Sequence, residues 1–159
     1  MLQGVPGTTG HFGRFKVTEI ALNARALGQF QDEPMLAAAE VLADAHCHSI
    51  CWNGTSAGWL GFDADRRLCE AITARTKVPA CSSVLAIDEI FRKTGVKRYA
   101  MVMPYTDDVQ QKIIENFARE RYECAAEEHL RLHVNFSFSE VEADVIAGMI
   151  RRVAKAKPD

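Results

Sequence analysis

The sequence contains no stretch near the roughly 20 consecutive apolar residues that a membrane-spanning helix needs, and its N-terminus, Met1 to Gly10, has neither a basic start nor an apolar core of the signal-peptide kind. It also lacks an excess of either charge: 19 Lys and Arg face 21 Asp and Glu, a net charge of −2. That balance argues against a nucleic-acid or anionic-membrane partner. The basic residues are scattered, and the densest group, Arg151, Arg152, Lys155 and Lys157, falls at the end of a predicted helix, where cations complement the helix dipole. The five cysteines, Cys47, Cys51, Cys69, Cys81 and Cys124, are odd in number and widely spread. They do not read as a disulfide framework, and a reducing cytoplasm is the expected setting. Internal repeats, low-complexity runs and phosphate-binding loops of the Walker or dinucleotide type are absent as well.

What is present is an ordinary globular composition. Apolar residues make up 48% and charged residues 25% of 159 residues, enough for one domain or one and a fraction of a second, with a core that needs no disulfide or metal. Strand and helix patterns alternate. His11 to Thr18 alternates as a strand; Pro34 to Ala45 is an Ala- and Leu-rich helix; Cys47 to Trp52 is a buried strand that ends at Asn53-Gly54. Asp63 or Asp65 caps a helix to about Thr76, with Leu68, Ala71 and Ile72 inward, and Val78 to Cys81 is a short strand. Ser82 or Ser83 then caps a helix through Leu85, Ile87, Ile90 and Phe91 that Gly95 ends. Lys97 to Met103 is a strand, Thr106 caps a helix to Phe117, and Tyr122 to Ala126 is a further strand. Ser139-Glu-Val-Glu142 has the spacing of a capping box for a final helix through Val145, Ile146, Met149, Ile150 and Val153.

This alternation predicts βαβ units and a mostly parallel sheet flanked by helices. Ligands of such sheets bind at the carboxyl ends of strands, which directs attention to the loops at Asn53–Gly58 and Pro104–Asp108. The first offers two hydroxyls, Thr55 and Ser56, with small residues and free backbone N–H groups, and suits a carboxylate or an oxyanion. It also suits a plain tight turn, and both readings stay open. In the second, Tyr105 either donates to an anion in the same cleft or packs over a capping turn. Gly54, Ser56 and Gly58 match a nucleophile elbow, with Asp107 or Asp108 and His129 or His133 as triad partners. Trp59-Leu60-Gly61 interrupts the helix such an elbow needs, which ranks a hydrolase behind the other readings. His46-Cys47-His48 with Cys51 supplies metal-ligand types, but on a strand these side chains diverge, and no metal site is expected.

Asn53-Gly54-Thr55-Ser56, then Leu68 to Ile72, Val78 to Ser83, Gly95 to Ala100 and Pro104 to Val109 follow one another in an order that resembles the aspartate/glutamate racemase superfamily, in its maleate isomerase and arylmalonate decarboxylase branch. The resemblance runs from about Val17 onward. It implies two Rossmann-like α/β halves facing across a cleft, here divided as 1–96 and 97–159, and chemistry without metal or organic cofactor. It implies cysteine-based proton transfer, with Asn53, Gly54, Thr55, Ser56 and Tyr105 as the substrate-binding set. Gly54 stands where racemases and maleate isomerases carry their first cysteine, as in the decarboxylase pattern, and Cys51 is three residues too early to replace it. The second cysteine of the family would follow a strand after Asp159, and the opening strand would precede Met1, so the chain is expected to be incomplete at both ends. A terminal helix docked on the sheet is the topological alternative. The expected function is therefore a cofactor-independent isomerase or decarboxylase of a small dicarboxylate, assembled as a homo-oligomer. The competing expectation is a non-catalytic carboxylate-binding or assembly module.

Overall fold

A computed structural model describes residues 5–159. Two parallel strand pairs, each backed by helices, form an α/β fold of the expected class. After a short helix α1 (Ala24–Leu27), helix α2 (Asp32–Ala43) leads to strand β1 (Ile50–Trp52). A four-residue helix α3 (Ala57–Leu60), helix α4 (Phe62–Thr76) and strand β2 (Ala80–Ser82) follow. β1 and β2 pair in parallel, Ile50 opposite Ala80 and Trp52 opposite Ser82. Helix α5 (Ser83–Thr94) leads to β3 (Arg98–Met103), α6 (Asp107–Arg119), β4 (Glu123–His129) and α7 (Ala143–Val153). β3 and β4 are parallel, with a register irregularity between Tyr99 and Ala100.

The helix ends follow from local chemistry. Ser82 is the N-cap of α5, its hydroxyl accepting from the Leu85 N–H at 3.2 Å, an arrangement typically worth about 1 kcal/mol. Gly95 closes the same helix with φ of 76°, a left-handed conformation that glycine adopts without cost. Asp107 and Asp108 occupy the dipole-favoured first turn of α6. One apolar cluster, Met35, Ala39, Ile50, Leu68 and Ile72, fills the space between α2, α4 and the first strand pair. A second joins the two halves of the chain: Trp59, Phe62 and Val84 from the first pack with Tyr99, Ile113, Phe117 and Tyr122 from the second.

Several local expectations are corrected. His11–Thr18 is not a strand; the Thr18 N–H donates to Gln29 Oε1 at 2.7 Å, and the Val17 and Thr18 carbonyls accept from the side chain and backbone N–H of Asn135 at 3.1 and 3.0 Å. Only Glu19 makes an isolated bridge, to Val134. The capping box at Ser139 does not form, because the Ser139 hydroxyl donates to the Phe136 carbonyl at 2.7 Å inside a 3₁₀ turn (Asn135–Glu140), and α7 starts later with Glu142 at its N-cap. Gly61, not Asp63 or Asp65, is the N-cap of α4, and Asp65 lies buried on that helix. Thr106 is the N-cap residue of α6, but its hydroxyl donates to Asp108 Oδ1 at 2.6 Å rather than capping the helix. Ile87 and Ile90 on α5 and Val145, Ile146 and Ile150 on α7 are exposed.

Asp159 arrives beside β3. Its backbone N–H donates to the Arg98 carbonyl at 2.9 Å, and its carboxylate accepts from the N–H groups of Lys97 and Arg98 at 2.7 and 2.8 Å. The Lys97 carbonyl takes the Glu123 N–H, so the alternation of the strand turns the backbone N–H and carbonyl of Arg98 toward the edge of β3 away from β4, while its guanidinium pairs with Glu123. Those backbone bonds hold the Asp159 carboxyl below its ordinary range.

Candidate substrate site

β1 ends at Trp52, and the chain then turns through Asn53, Gly54 and Thr55 into α3. The turn is tied down from both sides. Asn53 Oδ1 accepts from the Ser83 hydroxyl at 2.9 Å at the start of α5. From α6, the buried Asn116 side chain donates to the Gly58 carbonyl at 2.8 Å. Gly58 is itself small because Ile113 packs on it: a Cβ there would come 3.3 Å from Ile113 Cγ1.

The second strand pair brings Tyr105 to this turn. Its segment is clamped by the continuation of β4, with the N–H groups of Leu130, Leu132 and Arg131 donating to the carbonyls of Met103, Pro104 and Tyr105. Tyr105 is buried against Trp59 and Phe138, with ring centroids 5.3 and 5.6 Å away. Its phenol oxygen lies 2.6 Å from Thr55 Oγ1, fifty positions away in the chain. Burial pushes the Tyr105 phenol up, against the downward pull of that hydrogen bond, so it is a protonated donor at neutral pH. Ser56 is buried beside it and accepts from the Trp52 indole N–H at 3.2 Å.

Asn53, Gly54, Thr55, Ser56 and Tyr105 therefore all border one cavity of about 300 Å³. Its remaining walls are mainly apolar and aromatic, from Phe15, Val17, Ile20, Phe30, Trp52, Trp59 and Phe138. A few convergent hydroxyls on an apolar wall can bind and orient a small anion. A larger groove of about 590 Å³ is lined among others by Arg66, Asp88, Arg92 and Glu120, whose charges pair with one another. It includes none of these residues.

Three features of the site escape sequence reasoning. Trp52 folds back over Gly54: a Cβ on Gly54 would lie 2.1 Å from Trp52 Cζ2. The indole is held there by Ser56 and by Phe15, whose ring centroid is 5.3 Å away. Adding a cysteine side chain at position 54 must displace it. Gly54→Cys is expected to cost about 1–3 kcal/mol of stability as overpacking, with partial recovery in the double variant Gly54→Cys/Trp52→Leu; urea denaturation measures both, and an unchanged single variant contradicts the account. The other two features are Arg14, which lines the cavity from an irregular segment, and Asn135, which lines it from the start of the 3₁₀ turn. No apolar periodicity marks either position.

None of the five cysteines borders the cavity. Cys51 lies on the outward side of β1, and its thiol is pushed up to about 11, first by desolvation and then by the neighbouring Cys81 thiol. Burial pushes Cys69 up to about 11 and also raises Cys124. A raised thiol is a poor thiolate source. His46 to Cys51 does not run as one strand, since β1 begins only at Ile50 and His46 sits in a turn with φ of 54°. Among the described residues no group of three or more His, Cys, Asp or Glu side chains is arranged to hold a metal. Among the described residues no helix is long and apolar enough to cross a membrane.

The triad of the hydrolase reading does not assemble around Ser56. His129 lies between Asp107, at 2.5 Å from Nε2, and Glu127, at 2.7 Å from Nδ1, so neither ring nitrogen is left for a serine. Burial alone lowers the His129 pKa, but the hydrogen bonds to Asp107 and Glu127 more than offset it, leaving it above the ordinary 6.5. A raised folded-state pKa contributes stability that is fully present below the unfolded value and disappears as pH rises through the folded one. The wild-type advantage in thermal midpoint over His129→Gln is thus expected to be largest below about pH 6.5 and to shrink at higher pH. A constant difference across that range contradicts the assignment.

Comparison with known proteins places this geometry in context. No curated protein matches the sequence. The chain is similar in fold to the Nocardia farcinica maleate cis-trans isomerase with a covalently bound succinylcysteine intermediate: TM-score 0.84, 17% identity, covering 97% of this chain and 65% of that one. It is also similar to the maleate isomerase Iso from Pseudomonas putida S16, with TM-score 0.80, 21% identity and coverage of 90% and 59%. A liganded double mutant of arylmalonate decarboxylase gives 0.76, 19%, 90% and 60%. The chain thus spans less than two thirds of each of these three solved chains, and at such identities the likeness is one of fold. The family model for arylmalonate decarboxylase, by contrast, matches the sequence itself, over residues 14–159, and by that match the chain belongs to the arylmalonate decarboxylase family.

Proposed function

We propose that the natural protein is a cofactor-independent decarboxylase or isomerase of a small dicarboxylate, and that the cavity between β1 and β3 binds one carboxylate of that substrate. The observation that carries this reading is the Thr55–Tyr105 hydroxyl pair, 2.6 Å apart, in an apolar-walled cavity with Ser56 at its side. Neutral donors fixed on an apolar wall stabilise a carboxylate and, more strongly, the doubly charged enediolate formed when a proton or CO₂ leaves the adjacent carbon. In decarboxylation the C–C bond to the departing carboxylate breaks and its electron pair delocalises into the retained carboxylate. Protonation of the α-carbon then completes the reaction. No thiol of residues 1–159 borders the cavity, and the family resemblance assigns the proton donor to a cysteine following residue 159. Gly54 under the Trp52 ring disfavours a second base on this face, which suits one-base chemistry better than two-base racemisation.

In the same proposal 1–96 and 97–159 belong to two pseudo-symmetric halves, each contributing one parallel strand pair. The exposed apolar residues of α5 and α7 are covered by further protein, from the same chain or from a second copy in a homo-oligomer. A cytoplasmic setting belongs to the proposal too. One observation favours a second reading, a non-catalytic carboxylate-binding module: the described cavity holds hydroxyl donors but no acid, base or nucleophile of lowered pKa. Titration of the natively expressed protein with maleate and with an arylmalonate, followed by calorimetry, tests what the two readings share. Saturable binding to at least one is expected, and heat of dilution alone for both overturns them.

A further inference from the structure

Arg14 is the only charged residue among those lining the Thr55–Tyr105 cavity. It is exposed, and it makes no salt bridge among the described residues. Its backbone is nevertheless anchored on both sides. A Cβ on Gly13 would lie 3.3 Å from Leu42 Cγ and 3.4 Å from the Ala38 carbonyl, so the backbone there lies directly on α2. Phe15 packs against Trp52 with the ring planes tilted by 40°, and Trp52 in turn donates to Ser56. Arg14 therefore lines, from an anchored backbone, a pocket whose other polar groups are all neutral.

A monoanion seated on Thr55, Ser56 and Tyr105 leaves that cation unused, whereas a molecule with carboxylates on two different carbons engages both ends across the apolar middle. We propose that Arg14 is the specificity residue of this cavity: its guanidinium binds the second carboxylate of a diacid with the charges on separate carbons and so selects dianions over monoanions of the same shape. Arg suits this role because its planar fork matches a carboxylate bidentately. The inference rests on the carboxylate-binding reading above and narrows its substrate class.

The test compares maleate with its monomethyl ester on the natively expressed protein, in wild type, R14Q and R14K, by calorimetric titration. Arg14 is exposed, so all three should share one thermal midpoint. Wild type is expected to prefer the dianion at least tenfold. R14Q should weaken maleate by roughly 10- to 100-fold, the size expected for a hydrogen bond to a charged group, and leave the half-ester within about twofold. R14K should retain part of the preference, and added salt should erode it. Equal losses for both ligands in R14Q, or no loss, overturn this inference alone. Failure of wild type to bind maleate overturns it together with the reading on which it rests.

Discussion

Tyr105→Phe is expected to abolish most activity while leaving the fold in place. The only hydrogen bond that the phenol makes among the described residues is to Thr55, so its removal breaks no other structural contact. The ring keeps its edge-to-face packing on Trp59 and Phe138, so the thermal midpoint should move little. What is lost is a donor aimed into the cavity. Deleting one such donor to a developing oxyanion typically lowers kcat by about 10²- to 10³-fold. If substrate is bound mainly through its ground-state carboxylate, KM rises as well; if the donor acts chiefly on the enediolate, kcat carries the loss. Thr55→Val should show a smaller effect of the same kind, because Tyr105 then loses its orienting partner. Activity within about threefold of wild type in Tyr105→Phe contradicts the account.

Trp59→Ala carries the largest expected effect on stability. Trp59 is 4% exposed, packs on Phe30 at 5.6 Å and on Tyr105 at 5.3 Å, and sits on a helix of only four residues. So short a helix has almost no stability of its own and is held by tertiary packing. Large-to-small substitution of a buried tryptophan costs about 3–5 kcal/mol, which in a chain of this size lowers the thermal midpoint by very roughly 6–20 °C. Binding in the cavity should fail with it, since the same ring walls the site. The adjacent Leu60 is 40% exposed, and Leu60→Ala provides the control with a much smaller effect. Equal effects at the two positions contradict the placement of α3.

The parts of the fold legible in the sequence are those where one local signal decides. Ser82 and Gly95 bracket α5 because a hydroxyl cap and a left-handed glycine are short-range devices. Thr55, Ser56 and Tyr105 could be singled out because loops after parallel strands are where ligands bind, and they do border one cavity. The misreadings occurred where a distant partner outcompeted the local pattern. Thr18 satisfies its N–H with Gln29 rather than a neighbouring strand, and Ser139 turns back to Phe136 instead of capping α7. Trp52 over Gly54 depends on a ring orientation, and Arg14 on two anchored neighbours in an irregular segment. Neither leaves a periodic trace.

The measurement that bears most directly on the central claim is turnover of maleate and of an arylmalonate by the natively expressed protein, followed by NMR of substrate and product, with Tyr105→Phe alongside. The account predicts that wild type consumes at least one of them, yielding fumarate or CO₂ with the arylacetate, and that Tyr105→Phe slows this by about 10²-fold or more. Saturable binding with every diacid recovered unchanged would contradict an enzymatic role and leave the carboxylate-binding module in its place.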